Sequence, residues 1–140
     1  MPVILGIDPG TTESAYCTID AESRRPIEFP KVPNGVLIDI VQGSAADRCV
    51  VEMIDAMGMA VGAEIFETCV WVGRFAERWD ASHTVAADRL YRPDIKLHHC
   101  MARGAKDSNV RIALVDRFAR GASNFGKGTK ASPGFFHGFS

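Results

Sequence analysis

No run of about 18 consecutive apolar residues occurs in this chain, so nothing in it reads as a membrane-spanning helix. Met1 to Leu5 lack both a basic segment and a long apolar one, so no secretory signal is expected and the cytoplasm is the default location. Cysteine is scarce. Cys17, Cys49, Cys69 and Cys100 form no Cys-x-x-Cys pair, and each lies in a mostly apolar stretch, which favours reduced structural thiols over a metal or redox centre. A full phosphate-loop motif is also missing: Gly126-Lys127-Gly128-Thr129 lacks the required spacing and a preceding strand, and reads as a solvated loop. His98, His99 and Cys100 are adjacent, and adjacent side chains on a short helix diverge, which speaks against a shared metal. No internal repeat is present.

What remains is a chain of 140 residues, long enough for one domain with a real core. Its 46% apolar and 24% charged residues are ordinary for a globular protein. The net charge of −1 conceals a strong asymmetry. Residues 1–95 hold eight Lys/Arg against fifteen Asp/Glu, a net of −7, and residues 96–140 hold eight against two, a net of +6. An acidic body with a basic C-terminal third fits a polyanionic partner, and it equally fits two parts of one chain that pair with each other.

Two short apolar runs end in an acid. Val3 to Asp8 (VILGID) reads as a buried strand stopped by Pro9-Gly10, and Arg48 to Glu52 (RCVVE) as an internal parallel strand. Ser14 to Asp20 and Ile27 to Phe29 complete an antiparallel three-stranded meander. Asn34 is placed to cap a short helix over Gly35–Gln42, which Gly43 ends. Gly58 to Trp79 is the longest helical stretch, with Ile65, Phe66, Cys69, Val72 and Ala76 on the apolar face. Glu64, Glu67, Thr68, Arg74 and Arg78 form the polar stripe, and Trp71 falls inside that stripe. An exposed tryptophan there suggests contact with a second subunit. Thr84–Leu90 predicts a weaker strand, Pro93 opens a short helix to about Met101, and Lys106–Arg120 predicts a helix burying Val110, Ala113, Leu114 and Phe118. After Gly121 the chain is rich in Gly, Ser and Lys, which predicts a mobile loop in 121–140, while 1–120 form the folded domain.

The order is α/β with mixed strand directions. Ligands in such sheets collect at the C-terminal ends of parallel strands. Asp8 and Glu52 end the two most buried candidate strands and would meet there if these are parallel neighbours. Two carboxylates held close repel, which a cation between them relieves. Hard oxygen donors suit Mg²⁺, with Mn²⁺ able to substitute. The plainer alternative is that Asp8 starts a turn and Glu52 caps the next element.

Ile4-Leu5-Gly6-Ile7-Asp8-Pro9-Gly10 is similar to the opening strand of the Holliday-junction resolvase family, and Val50-Val51-Glu52 resembles its second acidic strand. Tyr91-Arg92-Pro93-Asp94-Ile95-Lys96 looks like its Arg-x-x-Lys segment. Gly104-Ala105-Lys106-Asp107-Ser108-Asn109 with Ile112-Ala113-Leu114 resembles its penultimate helix, especially in phage-encoded members. The ordered set covers most of the chain. The resemblance implies a ribonuclease H-like mixed sheet flanked by helices and a homodimer that binds four-way DNA junctions. It further implies Mg²⁺-dependent phosphodiester hydrolysis, the activity of a crossover junction endodeoxyribonuclease. By position Asp8 and Glu52 would be catalytic metal ligands, and Lys96 and Lys106 phosphate contacts; the basic loop adds Lys127 and Lys130 to the DNA-binding surface. The family completes its site with one or two aspartates on a final helix, and the sequence stops at Ser140, where that helix should begin. Asp107 and Asp116 are the only acids after Asp94, and both read as structural. Weak activity, or a non-catalytic DNA-binding module, is therefore the main alternative. An actin-like ATPase or sugar kinase, whose first phosphate loop resembles Gly6 to Thr12, needs a second lobe that 140 residues cannot supply.

Overall fold

A computed structural model describes residues 2–139. The residues group into two compact units, one ending at Arg92 and the other starting at Pro93, whereas the composition changes at Gly121.

The first unit is built on a six-stranded mixed sheet. Strands β1 (Val3–Asp8) and β2 (Glu13–Asp20) pair antiparallel across the Pro9–Thr12 turn. Strands β3 (Pro26–Glu28) and β4 (Lys31–Pro33) both pair antiparallel with β2, at opposite ends of it. The single expected third strand is thus two, parted by Phe29 and Pro30. Strand β5 (Arg48–Met53) lies parallel to β1, and β6 (Asp88–Tyr91) parallel to β5, giving the order β3-β2-β1-β5-β6.

Helices α1 (Asn34–Gly43) and α2 (Ala63–Ser82) cover one face of this sheet. Alternation along the strands sends Leu5, Ile7, Cys49 and Val51 to that face, where they pack with Leu37, Val41, Val72, Phe75 and Trp79. Trp79 is fully buried. Its indole Nε1–H donates to the Val85 carbonyl at 2.6 Å, and the His83 ring stacks on it at 3.5 Å. Burial pushes the Cys49 thiol up to about 12, with the Asp80 and Asp88 charges adding to the shift. All four cysteines are free thiols.

Two expectations about the helices change. Asn34 is not a side-chain cap: it is the first residue of α1, and its amide is turned to the Gly10 turn instead. In α2 the buried side is Thr68, Val72, Phe75 and Trp79, so the helix is rotated from the expected face. Thr68, expected in the polar stripe, is buried, and Phe66, expected in the core, is 63% exposed. Trp71 is half-buried against the core, 5.7 Å from Phe75 between ring centroids, with the Arg74 guanidinium over its ring at 4.1 Å. An aromatic ring gains more from that contact than helical spacing alone indicates.

The second unit contains α3 (Arg92–Cys100), which opens at the unit boundary, and α4 (Asp107–Phe118). Half-buried Val110, Ala113, Leu114 and Phe118 lie on one side of α4, as the spacing predicts. Residues 121–139 hold no helix or strand. They form hydrogen-bonded turns with a Gly128–Pro133 bridge and a chain of ring contacts from Phe118 through Phe135 and Phe136 to Phe139. Gly126 has a φ of +82°, and a Cβ there would lie 2.7 Å from the Ala119 Cβ, so this close turn requires glycine.

Candidate functional site

The register of β1 and β5 pairs Ile7 with Val51. The next residues along each strand are Asp8 and Glu52, so the two acids stand side by side on adjacent parallel strands about 4.8 Å apart. Since Ile7 and Val51 face the core helices, Asp8 and Glu52 share the opposite face. Asp8 is exposed and Glu52 is half-buried. Both lie at the C-terminal ends of their strands, where this sheet architecture collects ligands.

A buried polar network fixes the turn that follows Asp8. The Ser14 hydroxyl donates to Asn34 Oδ1 at 2.5 Å and accepts from the Gly10 N–H at 3.0 Å. Asn34 Nδ2 donates to the Gly10 carbonyl at 3.0 Å, and the Asn34 N–H donates to the Thr12 carbonyl at 2.9 Å. Ser14 and Asn34 are 1% and 2% exposed, so each bond replaces water that cannot reach. Gly10 has no alternative, because a Cβ would lie 2.2 Å from the Glu13 carbonyl oxygen.

Two ionised carboxylates on neighbouring strands repel each other. Arg92, immediately after β6, offsets this. Its Nε and Nη2 both donate to Glu52 Oε1, at 3.1 and 2.6 Å. The register of β5 and β6 sets Leu90 beside Glu52, which brings the residue two further on within reach. Arg92 is 41% exposed, so this pair contributes no more than about 1 kcal/mol to folding. Sequence reasoning placed Arg92 in a segment of resemblance but gave it no role. Its position at the end of a third parallel strand was the available signal.

The donor set fits one Mg²⁺ or Mn²⁺ ion, which binds through one or two carboxylates and completes its shell with water and substrate phosphate. Among the described residues no group of three or more His, Cys, Asp or Glu side chains is placed to hold a metal. Asp116 pairs with Arg120 at 3.2 Å. Asp55 accepts the Met57 N–H at 2.9 Å in the loop after β5.

The other expected site residues belong to the second unit. Lys96 is 18% exposed and pairs with Asp107 at 3.4 Å. Lys106 precedes α4, exposed, with its backbone N–H donating to Asn109 Oδ1 at 3.1 Å. Lys127 is half-buried and lines a cavity of about 320 Å³ with Arg111, Leu114, Phe125, Phe136 and Phe139, while Lys130 is exposed. His99, in contact with His98, has its pKa lowered by burial and by the neighbouring His98 and Arg117. No helix of the described residues is long and apolar enough to cross a membrane.

Sheet order, strand directions and flanking helices define a ribonuclease H-like α/β fold. Among solved structures, RuvC of Thermus thermophilus matches with a TM-score of 0.62 at 13% identity, covering 81% of this chain and 78% of that one. T. thermophilus RuvC in complex with a Holliday junction substrate matches with a TM-score of 0.61 at 14% identity, over 82% and 78%. The fold is RuvC-like. No protein-family model and no curated protein sequence matches the chain.

Proposed function

We propose that this protein is a metal-dependent, structure-selective DNA endonuclease that resolves four-way junctions, with Asp8 and Glu52 as the ligands of its catalytic cation. The observation that carries this reading is the β1–β5 register, which sets the two acids abreast at the ligand-binding end of a RuvC-like sheet. A divalent cation there would stabilise charge developing on the phosphate and ease deprotonation of an attacking water. Asp8 and Glu52 hold and aim that charge. The Ser14–Asn34 network keeps the Asp8 turn from shifting, and preorganised electrostatics are effective only when the groups do not have to reorient. Lys96, Lys106, Lys127 and Lys130 supply contacts to DNA phosphates in this reading, with shape rather than base sequence recognised. The Lys96–Asp107 pair would have to open for Lys96 to take part.

A homodimer on the exposed face of α2 is the second part of the proposal. Phe66 and Val70 are 63% and 54% exposed one helical turn apart, and two-fold symmetry would present two sites to two strands. Assignment to the phage-encoded branch of the family rests only on the Gly104–Asn109 and Ile112–Leu114 segments.

Asp8→Asn and Glu52→Gln should each abolish Mg²⁺-dependent cleavage of a labelled four-way junction, with junction binding in chelator retained. Cleavage at the unmodified rate by both variants would remove these residues from the site. One observation favours a second reading, a DNA-binding module without catalysis: the site offers one carboxylate pair among the described residues. That reading predicts junction binding by the unmodified protein and no cleavage in Mg²⁺ or Mn²⁺.

A further inference from the structure

Arg92 donates two bonds to one oxygen, Glu52 Oε1, at 2.6 and 3.1 Å. Those two N–H groups take up the lone pairs of Oε1 and leave Oε2 of the same carboxylate for a cation. A dication bound directly by the same carboxylate would lie close to a guanidinium that carries its own positive charge. The two positive charges repel across one carboxylate, so each weakens the other's hold on Glu52. Arg92 has the means to yield. It is 41% exposed against 22% for Glu52, so water is already at its back. Its backbone sits where β6 passes into α3, and Pro93 behind it is buried with φ fixed by its ring. The side chain is long. Once displaced, a guanidinium at the phosphate-receiving edge of the sheet has a natural partner in a backbone phosphate, whose geometry it matches in a fork.

Building on the reading of Asp8 and Glu52 as a cation site, we propose that Arg92 is a two-position residue. Without a cation it rests on Glu52 Oε1. With a cation and DNA bound it leaves the carboxylate and contacts a phosphate of the bound strand. Cation and DNA then favour each other's binding, because each stabilises the arrangement with Arg92 off Glu52, and such coupling is reciprocal.

The test uses Arg92→Gln, Arg92→Lys and Asp8→Asn in the full chain. Mn²⁺ binding to the DNA-free protein is read by electron paramagnetic resonance. Junction binding is titrated against salt in chelator and in Ca²⁺. Arg92→Gln should bind Mn²⁺ on the order of tenfold more tightly than the unmodified protein, as expected when one neighbouring positive charge is removed from a cation site. In Ca²⁺ its log–log salt slope should be shallower by about 0.9, the loss of one phosphate contact. In chelator the slope should be unchanged, because Arg92 is then held by Glu52. Arg92→Lys keeps the charge without the fork, and should fall between the two in Mn²⁺ affinity; it carries the test if Arg92→Gln does not fold. Mn²⁺ affinity equal to or weaker than that of the unmodified protein in both Arg92 variants overturns the proposal. Tighter Mn²⁺ binding with equal salt slopes in Ca²⁺ overturns its phosphate half. If Asp8→Asn binds Mn²⁺ as the unmodified protein does, the cation site itself is wrongly placed, an outcome distinct from failure of the Arg92 role.

Discussion

Asn34 is 24 residues from Gly10 in sequence, yet its amide closes the turn that follows Asp8. Removing that amide strands a buried Ser14 hydroxyl and a Gly10 carbonyl. Asn34→Ala should therefore cost about 1–3 kcal/mol, measurable as a lower urea midpoint with an unchanged slope. Asp8→Asn removes a charge from a repelling pair and should leave the midpoint unchanged or raise it slightly. Glu52→Gln gives up a charge-assisted bond to a partly exposed Arg92 and should cost about 1 kcal/mol at most. The strand-end positions of Asp8 and Glu52 were legible in the sequence because each acid follows a short apolar run. Arg92 was not, because its partner lies 40 residues away and only the β5–β6 register joins them. Asn34 was misread for a related reason. A helix-start position suits an asparagine locally, and only the folded sheet shows that its amide is used elsewhere.

Helix α2 separates what periodicity can and cannot decide. Its existence followed from the 3.6-residue pattern, but Phe66, Val70 and Trp71 compete for two faces, and spacing alone cannot rank them. The structure ranks them by contact: Trp71 lies against Phe75, and Phe66 and Val70 face outward. The consequence for subunit contact is a change of residue. Phe66→Glu should give monomers in sedimentation velocity if the proposed dimer uses this face, with the thermal midpoint of the monomer little changed. Trp71→Glu should instead destabilise the chain, because it places a charge against the core. A concentration-independent monomer for the unmodified protein would remove the dimer altogether. The sheet was more legible than the helix faces. Period-two alternation leaves only two faces to choose from, and Leu5, Ile7, Cys49 and Val51 agree on one of them.

At the scale of the whole molecule the charge is divided: net −7 over residues 1–95 and +6 over residues 96–140. If the basic part contacts DNA, affinity should fall steeply with salt. Replacing Lys127 and Lys130 together should flatten the slope by roughly two units, at about 0.9 per phosphate contact on duplex DNA. An unchanged slope would mean that neither lysine touches a phosphate. The RuvC-like fold was legible through the order of a few motifs, although only 13% of aligned residues are shared with the T. thermophilus protein. The arrangement of residues 121–139 was not legible, since glycine-rich turns obey local geometry that composition does not record.

Whether Asp8 and Glu52 hold one cation between them can be read from a crystal of this protein soaked in millimolar Mn²⁺. An anomalous scattering peak is expected between the two carboxylates, with at least one oxygen of each about 2.1 Å from the ion, close to Mg²⁺ geometry, and with the Arg92 guanidinium moved off Glu52 Oε1. A Mn²⁺ peak on other residues, with both carboxylates bare and Arg92 still in place, would contradict it.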